Sequence, residues 1–391
     1  MPNSTLTEQQ RFDQILQSPT NTPEQMLNVV RLYDQFVRDF PQSTVGYHNR
    51  SDMLKQLGFY DLALRDAERA LQLSPNFAMG WCNKAFILNI LGRYQEGWAA
   101  YEWRWKTDHG TFKDNGWPIP RWQGEPIGDA RLLIYAEQGF GDNIQFVRYA
   151  IEAKRRGLNV IVVNHAPVEN LLNYNLDRYG VESSPNGAGI ANLDYYVSMM
   201  SLPHYFGTTL DTIPCPTAYL QAEPDFIAKF QQKLTPCKPK IGVVWAGSNQ
   251  HDRNAARSLS FEQFSRLFGI EAEFHCLQIE VSEADRKRSD SFKNLHFWDH
   301  EINDFSDTAG LISQMDLVIS VDTSVAHLAA AMGKPTWILI THHPDFRWLL
   351  NRNDSPWYEN VQLFRQESSL NWESTLDRVV QQLSTLIEDN R

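Results

Sequence analysis

Asp322, Thr323, Ser324 and His327 stand close together at the end of an apolar run, Leu317–Val321. The run reads as a strand buried on both faces. Asp, Thr and Ser are helix-start residues, and a small-residue helix is expected through Met332. Gly333 stops that helix, and Pro335 opens a second apolar run, Thr336–Ile340. The pattern is a strand–helix–strand unit of a parallel sheet. Its Asp-Thr-Ser turn falls at the carboxyl end of the first strand, where open α/β sheets bind ligands. Amide N–H groups and the positive end of the helix point there, which suits a phosphate. Ala329, Ala330 and Ala331 let the helix lie close to the sheet. An ordinary strand–helix unit would explain the apolar pattern. It would not explain Asp322, Thr323 and His327 at one edge.

Two more glycine-bearing loops follow apolar runs. Arg131–Ala136 reads as a strand, and Glu137-Gln-Gly-Phe-Gly-Asp-Asn143 leads into an amphipathic helix carrying Ile144, Phe146, Val147, Tyr149 and Ala150. A second strand is expected at Asn159–Val163. Gly139-x-Gly141 is present, but Ile144 takes the third glycine position, so the dinucleotide fingerprint is not met. Asp142 suits the start of the helix. Arg148 and Tyr149 are either structural or line the cleft. Further on, Lys240–Ala246 reads as a strand ending in Gly247, Ser248 and Asn249, with Arg253 and Arg257 nearby. Ser260 and Gln263 have capping-box spacing. Phe274–Ile279 is the next strand, with Gln278 and Glu280 at its end, and His296–Asp299 another. A helix over Asp304–Met315 is expected to open on Asp307, Thr308 and Ala309 and to offer its first turn to a nucleotide. His296 and His300 have helical spacing in a strand-to-loop setting, which argues against a metal site.

DTSVAHLAAAMGKP, together with the Gly141-Asp142 pair, resembles the signature of the heptosyltransferase-like enzymes of glycosyltransferase family nine. The likeness is greatest to bacterial proteins that join tetratricopeptide repeats to such a region. It implies two Rossmann-like domains (the GT-B fold) and a nucleotide-sugar donor, with no cofactor and no metal. It makes Asp142 the base that activates an acceptor hydroxyl, unless Asp142 only caps its helix. Gly139, Gly141 and Asn143 would stand on the acceptor side. Arg257 matches the family's basic residue for the diphosphate. Glu280, with Gln278 as competitor, matches its acidic residue for a ribose. The expected donor site is therefore Gly247, Ser248, Arg257, Gln278, Glu280, Asp307, Thr308, Asp322, Thr323, Ser324 and His327. Asp322 and His327 either orient the donor or merely cap and pack. Arg347-Trp348 and Ser355-Pro-Trp-Tyr358 resemble the repeat-bearing relatives more than the lipopolysaccharide enzymes.

The amino-terminal third carries a repeat. Tyr47, Asn49, Leu54, Leu57, Gly58 and Tyr60 return 34 positions later as Trp81, Asn83, Leu88, Leu91, Gly92 and Tyr94. That is the tetratricopeptide period. Gly58 and Gly92 are expected in the turns between paired helices, and Phe12–Pro41 reads as a worn first repeat. Half of the 12 tryptophans lie between Trp81 and Trp122. The cluster of Trp98, Tyr101, Trp103, Trp105, Trp117 and Trp122 either covers the open end of the array or forms a sugar-stacking platform. Pro and Gly from Gly116 to Asp129 mark a boundary, and Thr235–Pro239 is a hinge candidate. The expected domains are a helical repeat domain over 1–115, an acceptor-side Rossmann-like domain over 116–236 and a donor-side one over 237–391. The fold class is α/β with an all-α repeat domain.

The chain has 391 residues, 42% hydrophobic and 21% charged, which is ordinary for a soluble protein. Its net charge of -11 argues against nucleic-acid binding. No basic-then-apolar leader and no spanning run is visible, and Cys82, Cys215, Cys237 and Cys276 show no paired spacing. These features suit a cytoplasmic protein, and the resemblance to family nine implies that it is a glycosyltransferase. The repeats either recruit a protein or peptide acceptor, or only stabilise the catalytic region or form a dimer. The rival reading is an inactive interaction scaffold.

Overall fold

The computed structural model describes residues 6–107, 116–187, 190–215, 217–234, 238–247, 257–367 and 371–389. These fall into two compact units.

The first unit is helical: α1 (Glu8–Leu16), α2 (Pro23–Asp39), α3 (Thr44–Gln56), α4 (Tyr60–Leu73), α5 (Ala78–Ile90) and α6 (Tyr94–Tyr101). Thr7, Thr22 and Ser43 cap the first three helices by accepting amide bonds from Gln10, Gln25 and Gly46. Helix α2 buries Val29, Val30, Tyr33, Phe36 and Val37, the stripe that a 3.6-residue period places on one side. Phe12 and Ile15 of α1 pack against it, so the worn first repeat is a true hairpin. Gly58 and Gly92 sit in the turns at φ +79° and +77°, where a side chain would be strained. Arg50 on α3 bonds Asp66 and Asp34, and Asn83 on α5 donates to Ser51 on α3. These polar ties run between helices sixteen or more positions apart.

Gly207–Leu210 and His343–Leu350 belong to this helical unit. Phe346 meets the rings of Phe86 and Trp98 edge-on, and Leu210 lies against Gly92. Trp81 and Trp103 stack in parallel at 5.2 Å, with Lys84 and Lys106 over them. The ring faces are thus occupied by one another and by lysine, which fits end-covering better than a sugar platform. The aromatic run is not one cluster. Trp98 packs within the helical unit, whereas Trp122 packs on Tyr205 and Phe206 of the second unit.

The second unit holds two fully parallel sheets. One is built from β1 (Arg131–Tyr135), β2 (Asn159–Val163), β3 (Glu182–Ser183) and β4 (Tyr195–Ser198) in the order β3-β2-β1-β4. Its helices are α7 (Phe140–Phe146), α8 (Arg148–Arg155), α9 (Ala166–Arg178) and α10 (Leu202–Tyr205), and α11 (Pro224–Gln231) follows. The other has the order β10-β9-β8-β5-β6-β7, with β5 (Lys240–Val244), β6 (Glu273–Cys276), β7 (Leu295–Phe297), β8 (Leu317–Val321), β9 (Thr336–Ile340) and β10 (Val361–Arg365). Its helices are α12 (Phe261–Phe264), α13 (Glu283–Ser289), α14 (Phe305–Ser313), α15 (Ser324–Ala331) and α16 (Glu373–Asp389). β8 and β9 are buried along their whole length, which is why they read as mostly apolar runs, with Ser320 and Thr336 as buried polar members. Helix α16 buries Leu376, Val379, Leu383 and Ile387 and lies on β10 and α12 of its own sheet. Strand order reverses between β1 and β4 and between β5 and β8, so each sheet has one switch point at its carboxyl edge. Residues 235–237 of the hinge candidate lie outside the described residues.

Candidate functional site

The second sheet's switch point lies between the ends of β5 and β8. Arg257 reaches it and donates from Nη1 to the Asp322 carbonyl at 2.8 Å. Thr323 is the N-cap of α15 but makes no capping bond. Its Oγ1 lies 3.1 Å from Ser320 Oγ instead. The first-turn amides of α15, beginning at Ser324, are therefore not taken by the cap residue's side chain, and they carry the positive end of the helix. A cation and a helix start thus converge on one turn.

His327 is buried one turn further along. Its Nδ1 lies 2.9 Å from the Tyr358 hydroxyl, and its Nε2 lies 3.8 Å from Asp322 Oδ1. Burial lowers its pKa to about 4, and Arg148 and Arg257 add to that, while Asp322 pulls the other way. His327 is uncharged at neutral pH, so it offers a hydrogen bond at this edge and no positive charge.

The first sheet presents Asp142 in the first turn of α7, not at its N-cap, which is Gly139. Asp142 Oδ2 accepts the Gly139 N–H at 2.9 Å. The carboxylate is held in place by a bond that asparagine could also make. Gly141 faces the second sheet's helix. A Cβ there would stand 3.1 Å from His327 Cδ2 and 3.5 Å from Ser324 Cα. The starts of α7 and α15 therefore approach across the two halves of this unit, with glycine permitting the contact. Phe140 adds an edge-on contact to Phe305. The fold brings Gly139, Gly141 and Asp142 together with Thr323, Ser324, His327, and through them Asp322 and Arg257.

Other expected site residues are engaged elsewhere. Gln278 is buried, and its amide oxygen accepts the Trp245 and Ala246 N–H groups at 2.7 and 3.1 Å. It ties the β5 and β6 loops and is oriented inward. Gly247 donates its N–H to Ser258 Oγ at 3.2 Å. Ser248, with Asn249 and Arg253, lies outside the described residues. Glu280 is exposed beside exposed Ile279, a placement open to a ribose. Helix α14 opens on Asp304, whose carboxylate accepts the Ser306 and Asp307 amides, and not on Asp307. Asp307 is buried, pairs with Lys229 at 2.6 Å and accepts from Asn303 N and Nδ2. Burial pushes its pKa up, but the hydrogen bonds from Lys229 and Asn303 outweigh that and hold it below the ordinary value. Thr308 is also buried and bonds the Asp304 carbonyl. Both serve the helix and its neighbours. Asn143 is buried and joins Asn164 to the His165 amide, so it braces the loop after β2 against α7. Among the described residues no three His, Cys, Asp or Glu gather as metal ligands would.

The sequence marked Tyr358 only as part of the Ser355-Pro-Trp-Tyr358 motif, with no partner, and left Arg148 undecided. Sequence reasoning also missed Glu137, whose carboxylate accepts the Ser198 hydroxyl at the other switch point. Glu137 was visible as an acid at a strand end. Nothing local linked Tyr358 to His327.

Residues 303–374 match the family described as Glycosyltransferase family 9 (heptosyltransferase). That stretch contains the Asp322–His327 turn and Tyr358. By this match the chain carries a heptosyltransferase-like region, preceded in sequence by a tetratricopeptide-like helical array. Among individual proteins, the chain is 27% identical over 377 residues to protein FlbA of Caulobacter vibrioides, covering 89% of this chain. The chain spans 62% of FlbA's length. A 73-residue stretch, 19% of this chain and 21% of the relative, is 32% identical to the small glutamine-rich tetratricopeptide repeat-containing protein 2 of Mycosarcoma maydis. Among solved structures, the Escherichia coli ADP-heptose lps heptosyltransferase II aligns with a TM-score of 0.45 at 14% identity. It covers 66% of this chain and 99% of its own. No helix among the described residues is long and apolar enough to cross a membrane.

Proposed function

We propose that the protein is a cytoplasmic glycosyltransferase that moves a sugar from a nucleotide-sugar to a hydroxyl acceptor, with inversion and without a metal. The observation that carries this reading is the close approach of the Gly141-Asp142 turn to the Ser324–His327 helix start. The donor diphosphate sits at that helix start, met by Arg257 and the α15 amides. Asp142 takes the proton of the acceptor hydroxyl as its oxygen attacks the anomeric carbon. The bond from that carbon to the diphosphate breaks, and its electron pair leaves with the nucleoside diphosphate. Arg257 and the helix amides are already in place where that charge develops.

Incubating the full chain with ADP-, GDP- and UDP-sugars tests the reading. Release of one nucleoside diphosphate, above the rate without protein, supports it. No release and no thermal stabilisation by any of the three diphosphates leaves the scaffold reading. Arg257→Ala is expected to weaken diphosphate binding by roughly 1.5–3 kcal/mol, the worth of a charge-assisted bond, and to leave the bare nucleoside unaffected. Equal losses for both in calorimetry would place Arg257 away from the phosphates.

The acceptor is read as a protein or peptide held by the repeats. Val45 and Met79 support this, because they occupy the same repeat position 34 residues apart and are both exposed. Such a row suits alternate side chains of an extended chain. Truncation at Gly116 is a poor test, since it would strip Gly207–Leu210 and His343–Leu350 of their unit. Val45→Asp with Met79→Asp is expected to lower modification of a protein acceptor at least tenfold, about 1.4 kcal/mol, with donor hydrolysis unchanged. Unchanged modification would return the repeats to a purely structural role.

A further inference from the structure

The Ser355-Pro-Trp-Tyr358 motif has no part in the chemistry above, yet the fold places it directly behind the site. Trp357 and Tyr358 are fully buried in the loop before β10. Arg148, at the start of α8, is also fully buried. Its Nε donates to the Gln145 carbonyl at 2.8 Å, its Nη1 to the Trp357 carbonyl at 2.7 Å and its Nη2 to the Tyr219 hydroxyl at 3.0 Å. A weaker Nη1 contact reaches the Pro214 carbonyl at 3.4 Å. The guanidinium lies over the rings of Tyr219 and Tyr358 at 4.5 and 4.7 Å. This buried cation is thus met by carbonyls and aromatic faces, and it touches the tyrosine that holds His327. The Tyr219 hydroxyl donates to the Ile144 carbonyl on α7 at 2.9 Å, so the assembly is fixed to the helix that carries Asp142.

We propose that Tyr358 is a positioning residue for the donor site: its hydroxyl fixes the plane of the His327 ring so that the Nε2 edge faces the Asp322 turn, and Arg148 holds Tyr358 from behind. The proposal rests on the reading of that turn as the donor-phosphate site. The physical reason is that an imidazole turns about χ2 in a broad, nearly two-fold well. A half-turn would put carbon where Nε2 now stands. One bond to Nδ1 removes that freedom. Without it the Nδ1 loses that bond, and the ring turns more easily.

Tyr358→Phe deletes the hydroxyl and keeps the ring over Arg148. In the full chain at neutral pH, nitrogen-15 spectra of the His327 imidazole are expected to show one tautomer in the wild type and a shifted or averaged pattern in the variant. Affinity for whichever of ADP, GDP or UDP binds the wild type is expected to fall about tenfold. A merely structural tyrosine would lower the melting temperature without moving the His327 signals. Unchanged signals, or changed signals with unchanged diphosphate affinity, would overturn the proposal. If none of the three diphosphates binds the wild type, the donor-site reading fails and takes the proposal with it. Should the Phe variant not fold, 3-fluorotyrosine at position 358 keeps ring and hydroxyl while making the phenol more acidic. It is expected to shift the His327 Nδ1 signal, and an unmoved signal would overturn the proposal equally.

Discussion

Asp142→Asn is expected to lower turnover by about 10²–10⁴-fold, the usual contribution of a positioned general base. A hydroxyl is a poor nucleophile until its proton has a destination. The carboxylate supplies one, and the carboxamide does not. The structure makes this substitution clean. Asp142 holds its place by accepting the Gly139 N–H at 2.9 Å, and an asparagine oxygen can accept the same bond. Gly141, which lets α7 meet α15, is untouched. The melting temperature and nucleoside diphosphate affinity should therefore stay nearly constant while turnover collapses. Near-normal turnover in the Asn variant would sink the base assignment and leave Asp142 a structural role at the helix start. Lost turnover with a large drop in melting temperature would call for Asp142→Ser as a second variant. Ser is smaller and lacks basicity, and it should be as inactive as Asn if the base assignment is right.

Acid is expected to destabilise this fold well above the usual carboxylate range. His327 is held neutral with a pKa of about 4, and His275 with a pKa of about 3. Burial is the main cause in both. At His275 the neighbouring His296 and Lys240 add to it, and Glu273 opposes it. His275 Nδ1 accepts the Trp298 indole N–H at 3.1 Å, which assigns its proton to Nε2. In the unfolded chain both imidazoles bind a proton near pH 6.5. Between pH 6.5 and 4 the unfolded state therefore binds more protons than the folded one, and stability falls as pH falls. It is fully present above pH 6.5. By the time the folded pKa is reached, the loss is roughly 3 kcal/mol for His327 and roughly 4 kcal/mol for His275. The paired carboxylates Asp307 and Glu273 are also held below their ordinary values, so their stabilisation is lost at lower pH. The interval from about pH 6.5 to 4.5 thus belongs to histidine. Urea unfolding followed by tryptophan fluorescence should show the midpoint dropping through that interval. His327→Asn and His275→Gln should flatten the slope, each by about one proton. A wild-type midpoint that is level down to pH 4.5 would show that these rings take up protons without cost.

Much of this architecture is written in neighbouring residues. The 34-residue register of Tyr47–Tyr60 with Trp81–Tyr94 gave the helical hairpins, because each repeat must bury the same stripe against the next. Gly58 and Gly92 marked turns, since only glycine takes a positive φ there without strain. Asn159–Val163, Leu317–Val321 and Thr336–Ile340 were legible to the residue, because a strand covered on both faces of a parallel sheet is mostly apolar. The Asp322–Ser324 turn was legible for a local reason too: an apolar run ending in Asp, Thr and Ser marks a strand that passes into a helix. Tertiary structure alone decided which polar side chains are taken up by partners inside the fold. Asp307 looked like a nucleotide contact until Lys229, 78 positions away, took its carboxylate. Gln278 was drawn inward by the amides of Trp245 and Ala246, and Asn143 by Asn164 and His165. Tyr358 meets His327 only across 31 positions. Helix and strand periods are properties of a chain segment and can be read along it. A buried polar group must find its partner wherever the fold supplies one, and that partner's place is set by how the sheets and helices assemble.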